Sequence, residues 1–113
     1  MTLEASAPTR IDLAGGTLDI WPLYLFHEGA QTINAAISLR AHARLEFRTD
    51  GVRSFRSVDT GRTVDVPKDA DLREARDLRL LTLLAHWALR RSGECALARN
   101  GFTLTTNCAS PAR

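Results

Sequence analysis

The chain has 113 residues, enough for one compact domain and too few for two. Its 44% hydrophobic and 25% charged residues are those of a folded soluble domain, which excludes disorder as the default state. Fifteen basic against 13 acidic residues leave a formal charge of +2, too balanced for a surface that neutralises a nucleic-acid backbone.

The N-terminus Met1-Thr2-Leu3-Glu4 has neither the basic segment nor the apolar run of a secretory signal. The most apolar stretch, Leu78 to Leu89, is broken by Arg79 and His86 and falls short of the ~20 residues that a bilayer requires. Cys95 and Cys108 therefore read as free thiols of a reducing compartment, and the cytoplasm is the expected location.

From Leu3 to Leu13 the odd positions are Leu3, Ala5, Ala7, Thr9, Ile11 and Leu13, while Glu4, Ser6, Arg10 and Asp12 lie between them. This is the period of a half-buried strand whose odd face is expected on the core. Pro8 cannot donate to a ladder, which places it at a sheet edge or a bulge. Gly15-Gly16 then frees the backbone for a sharp turn or a close approach. Trp21 to His27 is apolar and aromatic without alternation, so Pro22 is expected in the first turn of a short helix that Gly29 closes.

Ile33, Ala35, Ile37, Leu39, Ala41, Ala43, Leu45 and Phe47 occupy every second position, the clearest strand signal in the chain. At ~3.3 Å per residue such a strand is about 50 Å long, which predicts a bend or bulge near Ala36 to Ser38. Asp50-Gly51 reads as a hairpin turn. Short strands at Ser54 to Val58 and Thr63 to Val66, joined through Asp59 to Arg62, then continue an antiparallel meander.

After Pro67 the period becomes helical, with Leu78, Leu81, Ala85 and Ala88 on one stripe and Leu80, Leu84 and Trp87 beside it. Asp69, Asp71, Glu74 and Asp77 are expected at the helix start, Arg90 and Arg91 in its last turn, and Gly93 just beyond. A last strand covers Gly101 to Thr106. The fold class expected from this order is two-layer α+β, an antiparallel or mixed sheet with one main helix on one face.

By itself the glycine pair is most simply a turn. Arg10 and Asp19 on either side give it chemistry, because a guanidinium neutralises phosphoryl oxygens and a carboxylate accepts hydrogen bonds from sugar hydroxyls. A surface salt bridge between the two is the plainer alternative. Trp21 and Tyr24 suit core packing and the lining of a sugar pocket equally well, and His27 suits an exposed helix end. His42 and His86 lack partners at metal-ligand spacing, while Cys108 reads as a small buried hydrophobe.

Pro8-Thr9-Arg10-Ile11-Asp12-Leu13-Ala14-Gly15-Gly16 followed by Asp19 resembles the N-terminal motif of the GHMP small-molecule kinases, nearest their heptose-phosphate and fucose kinase branch. Asn34-Ala35-Ala36-Ile37 is similar to the family's next segment, a strand after the substrate loop. The resemblance implies that residues 1–113 form part of a kinase N-terminal domain: the substrate motif, the meander and the first helix. It implies that Arg10 stabilises the transferred phosphate and that Gly15, Gly16, Thr17, Asp19, Trp21 and Tyr24 bind a sugar or sugar phosphate. Gly16 stands where galactokinases carry a glutamate, so only its backbone can make contact.

In this family a strand like Gly101 to Thr106 leads into a glycine-rich loop that holds the ATP phosphates, and the catalytic aspartate follows that loop. Here Ser110-Pro111-Ala112-Arg113 supplies only the opening of such a loop, and Asp12, placed in a strand, is no substitute for the aspartate. The implied parent enzyme uses ATP and Mg²⁺ to phosphorylate a sugar hydroxyl and has no nucleic-acid or membrane partner. The 113 residues alone are expected to be inactive, to hold no metal or tightly bound nucleotide, and to expose an apolar patch where the rest of the kinase packs. The rival expectation is a free-standing carbohydrate-binding or protein-interaction domain without catalysis.

Overall fold

A computed structural model describes residues 1–93 and 100–109, with Asp19 described by its backbone only. Cys95 and the Ser110 to Arg113 segment lie outside the described residues. Five strands, β1 (Thr2–Ala14), β2 (Ile33–Phe47), β3 (Val52–Ser57), β4 (Arg62–Pro67) and β5 (Phe102–Cys108), form one sheet in the order β1-β2-β5-β3-β4. Helix α1 (Arg79–Ser92) packs on one face, which makes the expected two-layer α+β class with a mixed sheet.

The expected meander is corrected at one point. β3 and β4 do form an antiparallel hairpin, but β2 and β3 do not pair; β5 lies between them, antiparallel to β2 and parallel to β3. The Asp50-Gly51 turn therefore steps sideways across the head of β5 instead of closing a hairpin. Arg48 N–H donates to Gly101 O at 3.1 Å and Gly51 N–H to Asn100 O at 2.9 Å. Gly101 has φ 93°, and a Cβ there would run into the backbone of Val52, so the crossing needs a glycine.

Register sorts the side chains. The row Leu3, Leu45, Leu104, Phe55, Val64 runs across all five strands on the helix-facing side. One position on, Glu4, Arg44, Thr105, Arg56 and Thr63 make a polar row on the opposite face, where Arg44 meets Glu46 at 3.1 Å and Glu4 at 3.8 Å. Phe55, Val66, Leu72 and Phe102 are the buried hydrophobic cluster, with the Phe55 and Phe102 rings edge to face at 5.6 Å. Buried Arg53 ties the exit of β4 to this core by donating to the carbonyls of Pro67, Lys68 and Ala70 at 2.6–2.8 Å.

β1 keeps the expected sidedness but not the expected burial. Leu3, Ile11 and Leu13 are exposed because α1 reaches over β3, β4 and β5 and stops short of the edge. Pro8 lies on this edge strand, as a missing donor requires. The predicted bulge falls in place: Pro8 opposes Arg40 and Arg10 opposes Ala36, so Thr9 faces the three residues Ile37, Ser38 and Leu39. Thr9 Oγ1 donates to Leu39 O at 2.9 Å across the irregularity.

The helix starts later than its acidic run. Asp71 instead caps a 3-10 turn, Leu72–Glu74, accepting from Arg73 N–H at 2.9 Å, and Asp77 pairs with Arg62 at 3.5 Å. α1 itself begins after Leu78 with no acidic residue in its first turn, while Arg90, Arg91 and Gly93 sit at its end as predicted. Its core-facing stripe is Leu78, Leu81, Thr82, Ala85 and Leu89; Ala88, expected there, is exposed. Leu80, Leu83, Leu84 and Trp87 face outward, forming the exposed apolar surface that was expected. Among the described residues no helix is long and apolar enough to cross a membrane.

Candidate functional site

The strand that carries Arg10 leads directly into the glycine turn. Arg10 and Asp12 lie two apart on β1 and therefore on one face, with Arg10 Nε 3.6 Å from Asp12 Oδ1. β1 ends at Ala14, Gly15 adopts the left-handed conformation (φ 78°, ψ 3°), and a 3-10 turn follows over Gly16–Asp19. A side chain at Gly15 would be strained by φ and would also strike Gln31 O. A Cβ at Gly16 would sit 3.1 Å from Asp12 Oδ2, so the turn lies close over that carboxylate.

The turn is anchored laterally as well. Gly15 O accepts the Leu18 N–H at 3.0 Å and the Thr32 hydroxyl at 3.2 Å. Thr32 was not legible as a contributor, because it is 17 residues away and sits in a loop with no motif of its own. Thr17 and the backbone of Asp19 are thus carried on a turn pinned between the end of β1 and the approach to β2. The side chain of Asp19, expected by resemblance to meet substrate hydroxyls, lies outside the described residues.

The short helix expected here is a 3-10 turn, Leu23–Phe26, with Pro22 at its cap instead of in its first turn and its end at His27, short of Gly29. Trp21 and Tyr24 are 70% and 48% exposed, so neither packs into the core formed by the described residues. With Ile20, Leu25 and Phe26 they make an open apolar surface adjoining the glycine turn in the chain. His27 is exposed at the end of this turn, as expected.

A separate concavity of about 690 Å³ opens between the sheet and the start of α1. Ala5, Ala7, Ala41 and Ala43 form its small apolar floor where the helix-facing rows lose their large side chains. Ser57, Asp59 and Thr60 stand on its rim, joined by hydrogen bonds from Ser57 to Asp59 at 2.9 Å and from Thr60 to Ser57 at 2.7 Å. Half-buried Cys108 lines it as a free thiol. Exposed His42 lies along it, and His86 is half-buried on α1. Among the described residues no group of three or more His, Cys, Asp or Glu has the placement to hold a metal ion.

The five-stranded mixed sheet backed by one main helix has the fold of the N-terminal part of GHMP-type kinases. A D-glycero-D-manno-heptose 1-phosphate kinase from Bacteriodes thetaiotaomicron superposes with a TM-score of 0.75 at 23% identity, over 99% of this chain and 35% of its own. A Campylobacter jejuni protein named as a putative sugar kinase gives 0.69 at 24% identity, over 98% of this chain and 33% of that one. The mevalonate kinase of Methanococcus jannaschii gives 0.74 at 14% identity, over 100% and 34%. The chain spans about a third of the length of these solved structures. No family model matches its sequence, and no curated protein is similar to it in sequence.

Proposed function

We propose that residues 1–113 are part of the N-terminal domain of a cytoplasmic kinase that transfers the γ-phosphoryl of ATP to a hydroxyl of a sugar or sugar phosphate. The observation that carries this reading is the passage from Arg10 on β1 through left-handed Gly15 into the turn bearing Thr17 and Asp19. In that reading Asp19 accepts hydrogen bonds from sugar hydroxyls, Thr17 and the Gly15-Gly16 backbone add polar contacts, and Trp21 and Tyr24 pack on sugar C–H faces. Arg10 neutralises the phosphoryl oxygens as charge spreads over them in transfer. Superposition on kinases supports the class of reaction.

The sequence of this chain contains no glycine-rich phosphate loop, and its described residues offer no metal cluster. In this reading ATP and Mg²⁺ are held by the complete enzyme, the Mg²⁺ neutralising charge on the transferring phosphates. The test is sugar-dependent ADP release by the protein in its full encoded length, measured with galactose, fucose and heptose phosphate as acceptors. Turnover is expected there and absent from the 113-residue chain, and Arg10→Ala should lower kcat roughly 10²- to 10³-fold. Turnover by the short chain overturns the division of labour, and none by the full protein with any sugar overturns the kinase reading.

A further inference from the structure

The substrate turn has no side-chain cap of its own, since Gly15 occupies the cap position. Its start is held through one carbonyl, while the Ile20 N–H closes its end by donating to Thr17 O at 3.4 Å. Gly15 O accepts from Leu18 N–H, which closes the turn, and from Thr32 Oγ1, which ties the turn to the approach to β2. Both lone pairs of the oxygen are thereby used. Gln31 O abuts Gly15 so closely that no Cβ fits, and Thr32 is half-buried, so the tie is partly shielded from water. Asp12, on the other side, underlies Gly16. The Asp12 carboxylate lies close to the turn from β1, and the Thr32 hydroxyl ties it to the approach to β2.

We propose that Thr32 is a positioning residue for sugar binding: through Gly15 O it sets the orientation of the turn that carries Thr17 and Asp19. This rests on the reading of that turn as the sugar site. Thr32 touches no substrate itself, and its influence passes through the backbone.

The experiment compares Thr32→Val, which removes the hydroxyl at similar volume, with Thr32→Ser, which keeps it, in the full-length protein. Loss of one partly shielded hydrogen bond predicts a rise in sugar KM of about three- to tenfold for Thr32→Val. The KM for ATP stays unchanged, the change in kcat is smaller, and Thr32→Ser stays within twofold of wild type. Exchange of the Leu18 amide should quicken in the valine variant. Should the branched side chain unsettle the loop, Thr32→Ala carries the same expectation. A purely structural role would lower the active fraction and the melting temperature without moving sugar KM. A sugar KM within twofold of wild type in both Thr32→Val and Thr32→Ala overturns the proposal and leaves the kinase reading intact, provided the wild type turns over. A wild type that uses no sugar overturns the kinase reading, and the positioning role falls with it.

Discussion

Gly15 and Gly16 stand side by side yet meet different constraints. At Gly15 both the backbone angle and the neighbouring Gln31 carbonyl exclude a side chain, whereas at Gly16 the nearest atoms belong to the Asp12 side chain, which can yield. Gly15→Ala should therefore cost more than ~1–2 kcal/mol of stability, the usual penalty of a left-handed residue with a Cβ, while Gly16→Ala stays below that. Urea unfolding of the two variants checks this, and equal losses would count against it. A second residue-scale consequence concerns acid. The Arg48 guanidinium and then the Val52 N–H hold the Asp50 carboxyl down to about 2, and Arg73, through its side chain and then its backbone, does the same for Asp71. A carboxyl with a depressed folded pKa stabilises above its unfolded value, near 3.8, and loses that contribution as pH falls toward about 2. Both pairs are exposed, so salt weakens them. The urea midpoint should fall between pH 4 and 2, by less in 0.5 M salt and by less in Asp50→Asn; an unaltered slope in that variant would refute the assignment.

Helix α1 shows how one apolar period can serve two faces. Its inner stripe meets Phe55, Leu72 and Phe102, while Leu80, Leu83, Leu84 and Trp87 look outward, with the Arg91 guanidinium 5.1 Å from the Trp87 ring. Leu72→Ala, at a residue 2% exposed, should cost about 2–5 kcal/mol, and Leu84→Ala within about 0.5 kcal/mol, by urea unfolding of the chain. A Leu84 loss as large as that of Leu72 would mean that the outer face is covered in solution. Much of this element was legible, because a 3.6-residue period and a basic last turn are local properties. Its start was not: the acidic residues read as a helix opening are spent on a separate 3-10 turn and on Arg62. The same contrast holds for β1 and β2, whose alternation and bulge follow from spacing and from Pro8, whereas the absence of cover over Leu3, Ile11 and Leu13 depends on where the helix stops. At the candidate site Gly15 announced itself as a glycine, but Thr32 did not, since its hydrogen bond joins residues 17 apart.

Across the whole molecule the radius of gyration is 17.3 Å, against roughly 13 Å for a compact domain of about this size. The molecule extends 51 Å along its longest axis, and the long ribbon of β1 and β2 carries the glycine turn away from the five-stranded body. A two-stranded ribbon is at best marginally stable alone, so the candidate site depends on the five-stranded body for its footing. That body in turn hangs on its last strand. Among the described residues β5 is the sole neighbour of β3 other than β4, and of β2 other than β1, so without Phe102 to Cys108 these strands form two separate antiparallel pairs. During synthesis the two pairs can join into this sheet only once β5 has emerged, and they must wait unjoined in the meantime. A chain ended at Asn100 should lose cooperative unfolding and the near-ultraviolet signature of packed aromatics, and a synthetic peptide of residues 101–109 supplied in excess should restore both. Cooperative unfolding without that peptide would show that the two pairs had found another way to meet.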